Sequence, residues 1–124
     1  MSEERGERVF VYGTLRRGGS NDFRMARARF VATGMVRGRL YRIDWYPGFV
    51  ADESAGLVTG EIFMVDADIL AALDEFEGSG YRRVKIAVDV GEGAGSAVEA
   101  WIWEWIGNVD ETSRIVCGDW LAEA

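Results

Sequence analysis

A chain of 124 residues, 48% hydrophobic and with a single proline, has the length and composition of one globular domain with a real core, not of a disordered segment. Its formal net charge of −7 argues against a nucleic-acid partner, whose phosphates demand a basic footprint, although Arg16, Arg17, Arg24, Arg27, Arg29, Arg37, Arg39 and Arg42 concentrate positive charge in the first third. With no histidine and one cysteine, Cys117, Ser-His-Asp and Cys-His catalysis, histidine metal sites, a structural zinc site and an intramolecular disulfide are all excluded.

Residues 1–7 are polar, carry no signal-peptide core and are expected to be disordered. No stretch is apolar for long enough to span a bilayer, so a cytoplasmic protein with no membrane partner is expected. Residues 8–12 form the first predicted strand. Val9-Phe10-Val11-Tyr12 is a β-branched and aromatic run that stops at Gly13. Thr14-Leu15-Arg16-Arg17-Gly18-Gly19 then makes a basic, glycine-rich turn whose backbone N–H groups no ladder uses. Such a turn can hold a carboxylate or a developing oxyanion, with Arg16 and Arg17 as a solvated rim. A tight turn whose glycines only permit the bend explains the same residues. It is not a P-loop, because no Gly-Lys-Ser/Thr follows, and it is not a dinucleotide fingerprint.

Ser20-Asn21-Asp22 is expected to cap a short helix to about residue 28. An extended region covers 30–44, with Gly34 and Gly38 as bulges or bends. Trp45-Tyr46-Pro47-Gly48 reads as a turn, 49–51 as a short strand, 52–56 as a return turn and 57–65 as a further strand. Residues 66–77 give the clearest helix, with an acidic start and Gly78 just past its end. Residues 81–90 alternate, with Val84, Ile86, Val88 and Val90 on one face and Arg83, Lys85 and Asp89 on the other. A glycine-rich hairpin loop over 91–96 leads into a strand over 97–106. There Trp101, Trp103 and Trp105 share one side as packing residues, with room for one of them in a pocket wall. A short helical turn is expected near 110–115. The sum is a single α+β domain over 1–124, built on a small closed or strongly curved sheet.

Without histidine, acid–base chemistry falls to Asp, Glu, Lys or Tyr. Glu77 stands out. Ile69, Leu70, Leu73 and Phe76 define the buried stripe of the helix, and Glu77, seven residues after Leu70, lies within ~20° of it. Glu75 projects away and should be solvated, while Asp74 falls at the boundary. Burial and the helix C-terminus both favour the protonated form of Glu77, which tunes it toward proton transfer near neutral pH. Pairing of Glu77 with Arg82 or Arg83 accounts for the same sequence. Tyr81 and Arg83 share a strand face and can reach a ligand or form a cross-strand pair. Nothing in the sequence activates Cys117.

Together these segments resemble the gamma-glutamylcyclotransferase-like family. Val9-Phe10-Val11-Tyr12-Gly13-Thr14-Leu15-Arg16-Arg17-Gly18 is similar to the family's Tyr-Gly-Ser/Thr-Leu strand and loop. Leu73-Asp74-Glu75-Phe76-Glu77-Gly78, followed by Tyr81 and Arg83, is similar to the helix end that carries its catalytic glutamate. Tyr46-Pro47-Gly48, Gly60-Glu61-Ile62-Phe63 and Gly118-Asp119-Trp120 follow in matching order. The resemblance implies a small mixed β-barrel with two or three short helices. It also implies release of 5-oxoproline from γ-glutamyl amines or peptides without metal or cofactor. Glu77 would move protons, and the backbone of Tyr12, Gly13, Thr14 and Leu15 would bind substrate, with Tyr46, Tyr81 and Arg83 as further contacts. This chain departs from the pattern at Asp22, where relatives often carry histidine, and at Trp103 and Trp105, where they often carry tyrosine. Two other functions compete: a non-catalytic small-molecule binding protein of the same fold, and an interaction protein that uses Arg24 and Arg27.

Overall fold

The computed structural model describes residues 6–91 and 97–123. The first strand is β1 (Glu7–Val11), whose last three residues are buried on both faces. That is why Val9-Phe10-Val11 is continuously apolar instead of alternating. It pairs antiparallel with β4 (Leu57–Val65), from Glu7↔Val65 to Val11↔Glu61. On its other edge it runs parallel to β6 (Ala97–Trp105), with Val9 opposite Trp101. β2 (Arg29–Arg42) lies along β4 and meets β5 (Tyr81–Asp89) at Met35↔Asp89. β5 and β6 form an antiparallel pair from Tyr81↔Trp105 to Asp89↔Ala97. The circuit β2-β4-β1-β6-β5 thus closes into a five-stranded mixed barrel. β3 (Pro47–Ala51) extends β2 outside it.

All five barrel strands send side chains into one core, including Phe10, Val36, Leu40, Ile62, Val88 and Ile102. The helix α1 (Ala67–Glu77) covers the outer face, where Ile69 and Leu73 meet Val9, Val11, Phe63, Val65 and Trp103. The expected stripe is thus the buried one, with Leu70 and Phe76 packed against it. The Asp66 carboxylate accepts from the Ile69 N–H at 2.8 Å and caps the helix start. Gly78 ends it at φ 79°. The C-terminal segment closes one end of the barrel. Ile115 N–H donates to the Leu40 carbonyl at 2.8 Å, Thr59 N–H to that of Gly118 at 2.8 Å, and Trp120 joins the core.

Some expectations need correction. The helix expected to begin at Ser20-Asn21-Asp22 is a single 3-10 turn, Asp22–Met25. Met25 is its only buried residue, so no apolar stripe sustains a longer helix. Asn21 gives the turn no side-chain cap. Gly34 and Gly38 are not bulges. The irregularity falls between Phe30 and Ala32, and the two glycines mark close approaches. A Cβ on Gly34 would lie 2.6 Å from Val88 Cγ1, and one on Gly38 would meet the Phe49 ring. β3 starts two residues earlier than expected, and the short helix α2 (Trp120–Glu123) was not anticipated. Glu7, inside the segment expected to be disordered, opens β1. Residues 1–5 and most of the expected 91–96 hairpin loop lie outside the described residues. Among the described residues no helix is long and apolar enough to cross a membrane.

Candidate active site

Where β1 runs out, the loop after it turns over the end of α1 and leaves a cavity of ≈ 340 Å³. Tyr12, Gly13, Thr14 and Leu15 form one wall. Trp45, Tyr46 and Pro47 form a second. Phe76, Glu77, Gly80, Tyr81, Trp103 and Trp105 supply the rest. Among the described residues, Glu77 is the only charged side chain in the lining.

Glu77 is half-buried at the last position of α1. Burial, and secondarily the negative charge of Asp74, push its carboxyl up from the usual carboxylate range to about 7. The competing ion pairs do not form. Arg82 Nη2 takes Glu104 at 3.2 Å. Arg83 forks onto Asp74, with Nε donating to Oδ1 at 2.8 Å and Nη2 to Oδ2 at 3.0 Å. Glu75 is exposed, as its place on the helix requires.

The loop opposite is held from three directions. Tyr12 buries its hydroxyl, which donates to the Trp103 carbonyl at 2.8 Å and accepts from Phe49 N–H at 3.1 Å. Its phenol is therefore structural, and burial raises its proton affinity well above the ordinary tyrosine value. Tyr12 itself lines the cavity. At Gly13 a Cβ would lie 2.6 Å from Pro47 Cγ, so only glycine lets the loop sit against Pro47. Thr14 accepts from Asn21 through both its carbonyl, at 2.8 Å, and its hydroxyl, at 3.2 Å. Asp22 accepts from Gly18 N–H at 3.1 Å, so a carboxylate here supports the loop. The N–H groups of Gly13, Thr14 and Leu15 donate to no protein acceptor among the described residues.

Arg16 is not the solvated residue expected. It is 8% exposed, its Nη1 donates to Asp119 at 2.8 Å, and its Nε lies 3.6 Å from Glu61. Glu61 is itself buried and accepts from Arg17 N–H at 2.9 Å. Arg17 is exposed, with its guanidinium over the Phe30 ring.

Aromatic rings make up much of the remaining wall. The Tyr81 hydroxyl donates to the Pro47 carbonyl at 2.5 Å and ties β5 to the start of β3. Burial, and then the nearby Glu77, raise its proton affinity. Tyr46 lies 6.5 Å from Tyr81, and Trp105 lies 5.3 Å from Tyr81. The structure thus brings together Glu77, Tyr46, Tyr81 and the backbone of residues 12–15. It does not bring Arg83, an expected substrate contact, into the cavity lining. Trp45, 59% exposed at the rim and packed edge-on against Tyr46, is a wall residue that sequence reasoning missed. Its signal was available: a large apolar ring beside a Tyr-Pro-Gly turn has no obvious core to enter. Of the tryptophan row, Trp101 and Trp103 pack under α1, and Trp103 and Trp105 reach the cavity.

The sequence profile of the family described as Gamma-glutamyl cyclotransferase, AIG2-like matches residues 9–122. This chain belongs to that family. Within the gamma-glutamyl cyclotransferase, AIG2-like family, it is 33% identical over 117 residues to the Escherichia coli gamma-glutamylcyclotransferase family protein YtfP, covering 92% of this chain and 96% of that one. The crystal structure of an uncharacterized Pyrococcus horikoshii protein superposes with a TM-score of 0.76 at 30% identity, covering 95% of this chain and 92% of that one. An AIG2-like protein of Mus musculus gives 0.77 at 30% identity, covering 86% and 82%. The mixed barrel with few short helices is thus the fold of solved family members.

Proposed function

We propose that this protein is a gamma-glutamylcyclotransferase-type enzyme that releases 5-oxoproline and a free amine from a small γ-glutamyl amine or peptide. The observation that carries the reading is Glu77. It is a lone carboxyl in an aromatic-walled cavity, set to exchange a proton near neutral pH, with loop N–H groups on the facing wall. The family assignment agrees with it.

In the proposed reaction the substrate's α-nitrogen attacks its own γ-carbonyl carbon and closes a five-membered lactam. Attack is intramolecular, so holding the glutamyl chain folded supplies much of the rate. Ionised Glu77 accepts the proton that the attacking nitrogen must lose. The γ-carbonyl oxygen becomes an oxyanion that the N–H groups of Gly13, Thr14 and Leu15 can stabilise. Glu77 then gives its proton to the leaving nitrogen as the C–N bond breaks. Glu77 ends ionised, no water is consumed, and this route needs neither metal nor cofactor. Tyr46 and Tyr81 flank the bound substrate. The enzyme so described works in the cytoplasm on a small molecule, without nucleic acid or membrane.

The test is a panel of γ-glutamyl amines and dipeptides, with 5-oxoproline followed by mass spectrometry. At least one compound is turned over, and Glu77→Gln lowers its rate by ~10²-fold or more, the usual range for losing a positioned acid–base group. Release that survives Glu77→Gln sinks the mechanism. A thermal shift by a γ-glutamyl compound that is recovered intact would favour the binding-protein alternative.

A further inference from the structure

Asp74 sits one helical turn before Glu77, half-buried at the edge of the α1 stripe. Three donors from two strands converge on it. Arg83 of β5 forks across both its oxygens at 2.8 and 3.0 Å, and the Trp103 indole of β6 donates to Oδ1 at 2.9 Å. Arg83 is fixed in turn by the Trp101 ring, 4.4 Å away. Trp103 also lines the cavity, and its carbonyl takes the Tyr12 hydroxyl. Asp74 is therefore joined both to the helix end that carries Glu77 and to the wall that Glu77 faces. A fork of this kind fixes the carboxylate in place.

We propose that Asp74 is a positioning residue for Glu77: clamped by Arg83 and Trp103, its negative charge adds to burial in holding the proton on Glu77, and Arg83 offsets part of that charge. This rests on the reading of Glu77 as the proton carrier. The geometry supports an electrostatic role because residues three apart on a helix are neighbours. Like charges held near one another favour protonation of one of them. The other polar groups near Glu77 are few. From β5 comes the Tyr81 hydroxyl, committed to Pro47, and from the end of β1 the Tyr12 hydroxyl, committed to Trp103. The turn before β3 brings Tyr46. From the 3-10 turn, the Arg24 guanidinium lies over the adjacent Phe76 ring at 4.2 Å. Arg82 is engaged by Glu104. Asp74 is thus the nearby negative charge that Arg83 directly compensates.

The clamp predicts opposite effects from its two halves. Asp74→Asn keeps an acceptor for the Trp103 indole but removes the charge, so the Glu77 carboxyl titrates at lower pH. Arg83→Gln leaves Asp74 charged and uncompensated, so Glu77 titrates at higher pH. Arg83→Lys restores the cation and returns the midpoint toward wild type. Each displacement should be roughly half a pH unit or more, as for nearby charges in a partly dry site. Two readouts are needed. One is the Glu77 side-chain carboxyl followed by carbon-13 NMR against pH, identified by its loss in Glu77→Gln. The other is the acid limb of kcat/KM with whichever γ-glutamyl compound is turned over. A merely structural clamp would lower stability without separating the midpoints. The inference is overturned if either charge-removing variant titrates at the wild-type midpoint, or if both move the same way. Should Asp74→Asn fail to fold, Arg83→Gln against Arg83→Lys decides alone. If no compound is turned over, the proposed reaction falls, while the NMR titration still decides the role of Asp74.

Discussion

Glu77 carries two consequences of one raised proton affinity. As the base that starts the reaction it must be ionised, so kcat/KM should fall as pH drops through about 7. The stability effect has its own sign. An ordinary carboxylate, near 4.5, loses its proton in the unfolded chain first. Between 4.5 and about 7 the native state therefore holds a proton that the unfolded state has released. The contribution of Glu77 to stability is fully present below that window and declines as pH rises through it, by about 2 kcal/mol once partial exposure is discounted. Glu77→Gln cannot ionise. Its melting temperature should gain on wild type between pH 4 and pH 8, and scanning calorimetry at both pH values checks this. A constant difference would place the shift elsewhere. Much of this residue was legible in the sequence, because helical periodicity fixes where position 77 points once the stripe at 69, 70, 73 and 76 is recognised. Arg83 was not. A strand face says which way a side chain leaves the backbone, but not which acid on a separate helix will meet it.

At the scale of elements, the loop of residues 12–19 shows how local sequence misleads about charge. Two arginines among glycines look like a wet rim. One of them is instead the anchor of the loop, gripped by Asp119 from the C-terminal segment and flanked by Glu61 of β4. Removing one member of a buried ionic group strands the others, at a typical cost of about 3 kcal/mol. Arg16→Met should lower stability on that scale in urea unfolding. It should also raise KM, because the residues it anchors continue directly into the cavity wall. Lost stability with unchanged KM and kcat would separate the anchor from the site. Strand 57–65 was legible to the residue, because its ends are marked by Gly56 and by the helix-capping Asp66. The helix expected after Ser20 is shortened to a single 3-10 turn. Its polar residues are loop fasteners, with Asn21 on Thr14 and Asp22 on Gly18, and cap chemistry and loop chemistry use the same side chains.

For the whole molecule, the sequence indicated a curved or closed sheet but not how it closes. The decisive contact is parallel, Val9 beside Trp101, between the first and last of the described strands, and no local pattern records such a pairing. The same distance explains the unforeseen α2. Trp120, 9% exposed, is held by the barrel core and not by helix propensity. Trp120→Ala should cost about 3–5 kcal/mol as a buried aromatic truncation, read as a lower urea midpoint. A loss under 1 kcal/mol would mean that the barrel end is closed without it. The grip of Asp119 on Arg16 also has a bearing on how the protein is made. Arg16 is translated 103 residues before Asp119, the acid that grips it. On the ribosome, this wall of the site must wait until Asp119 has emerged, so a chain stopped short of Asp119 would lack a finished pocket.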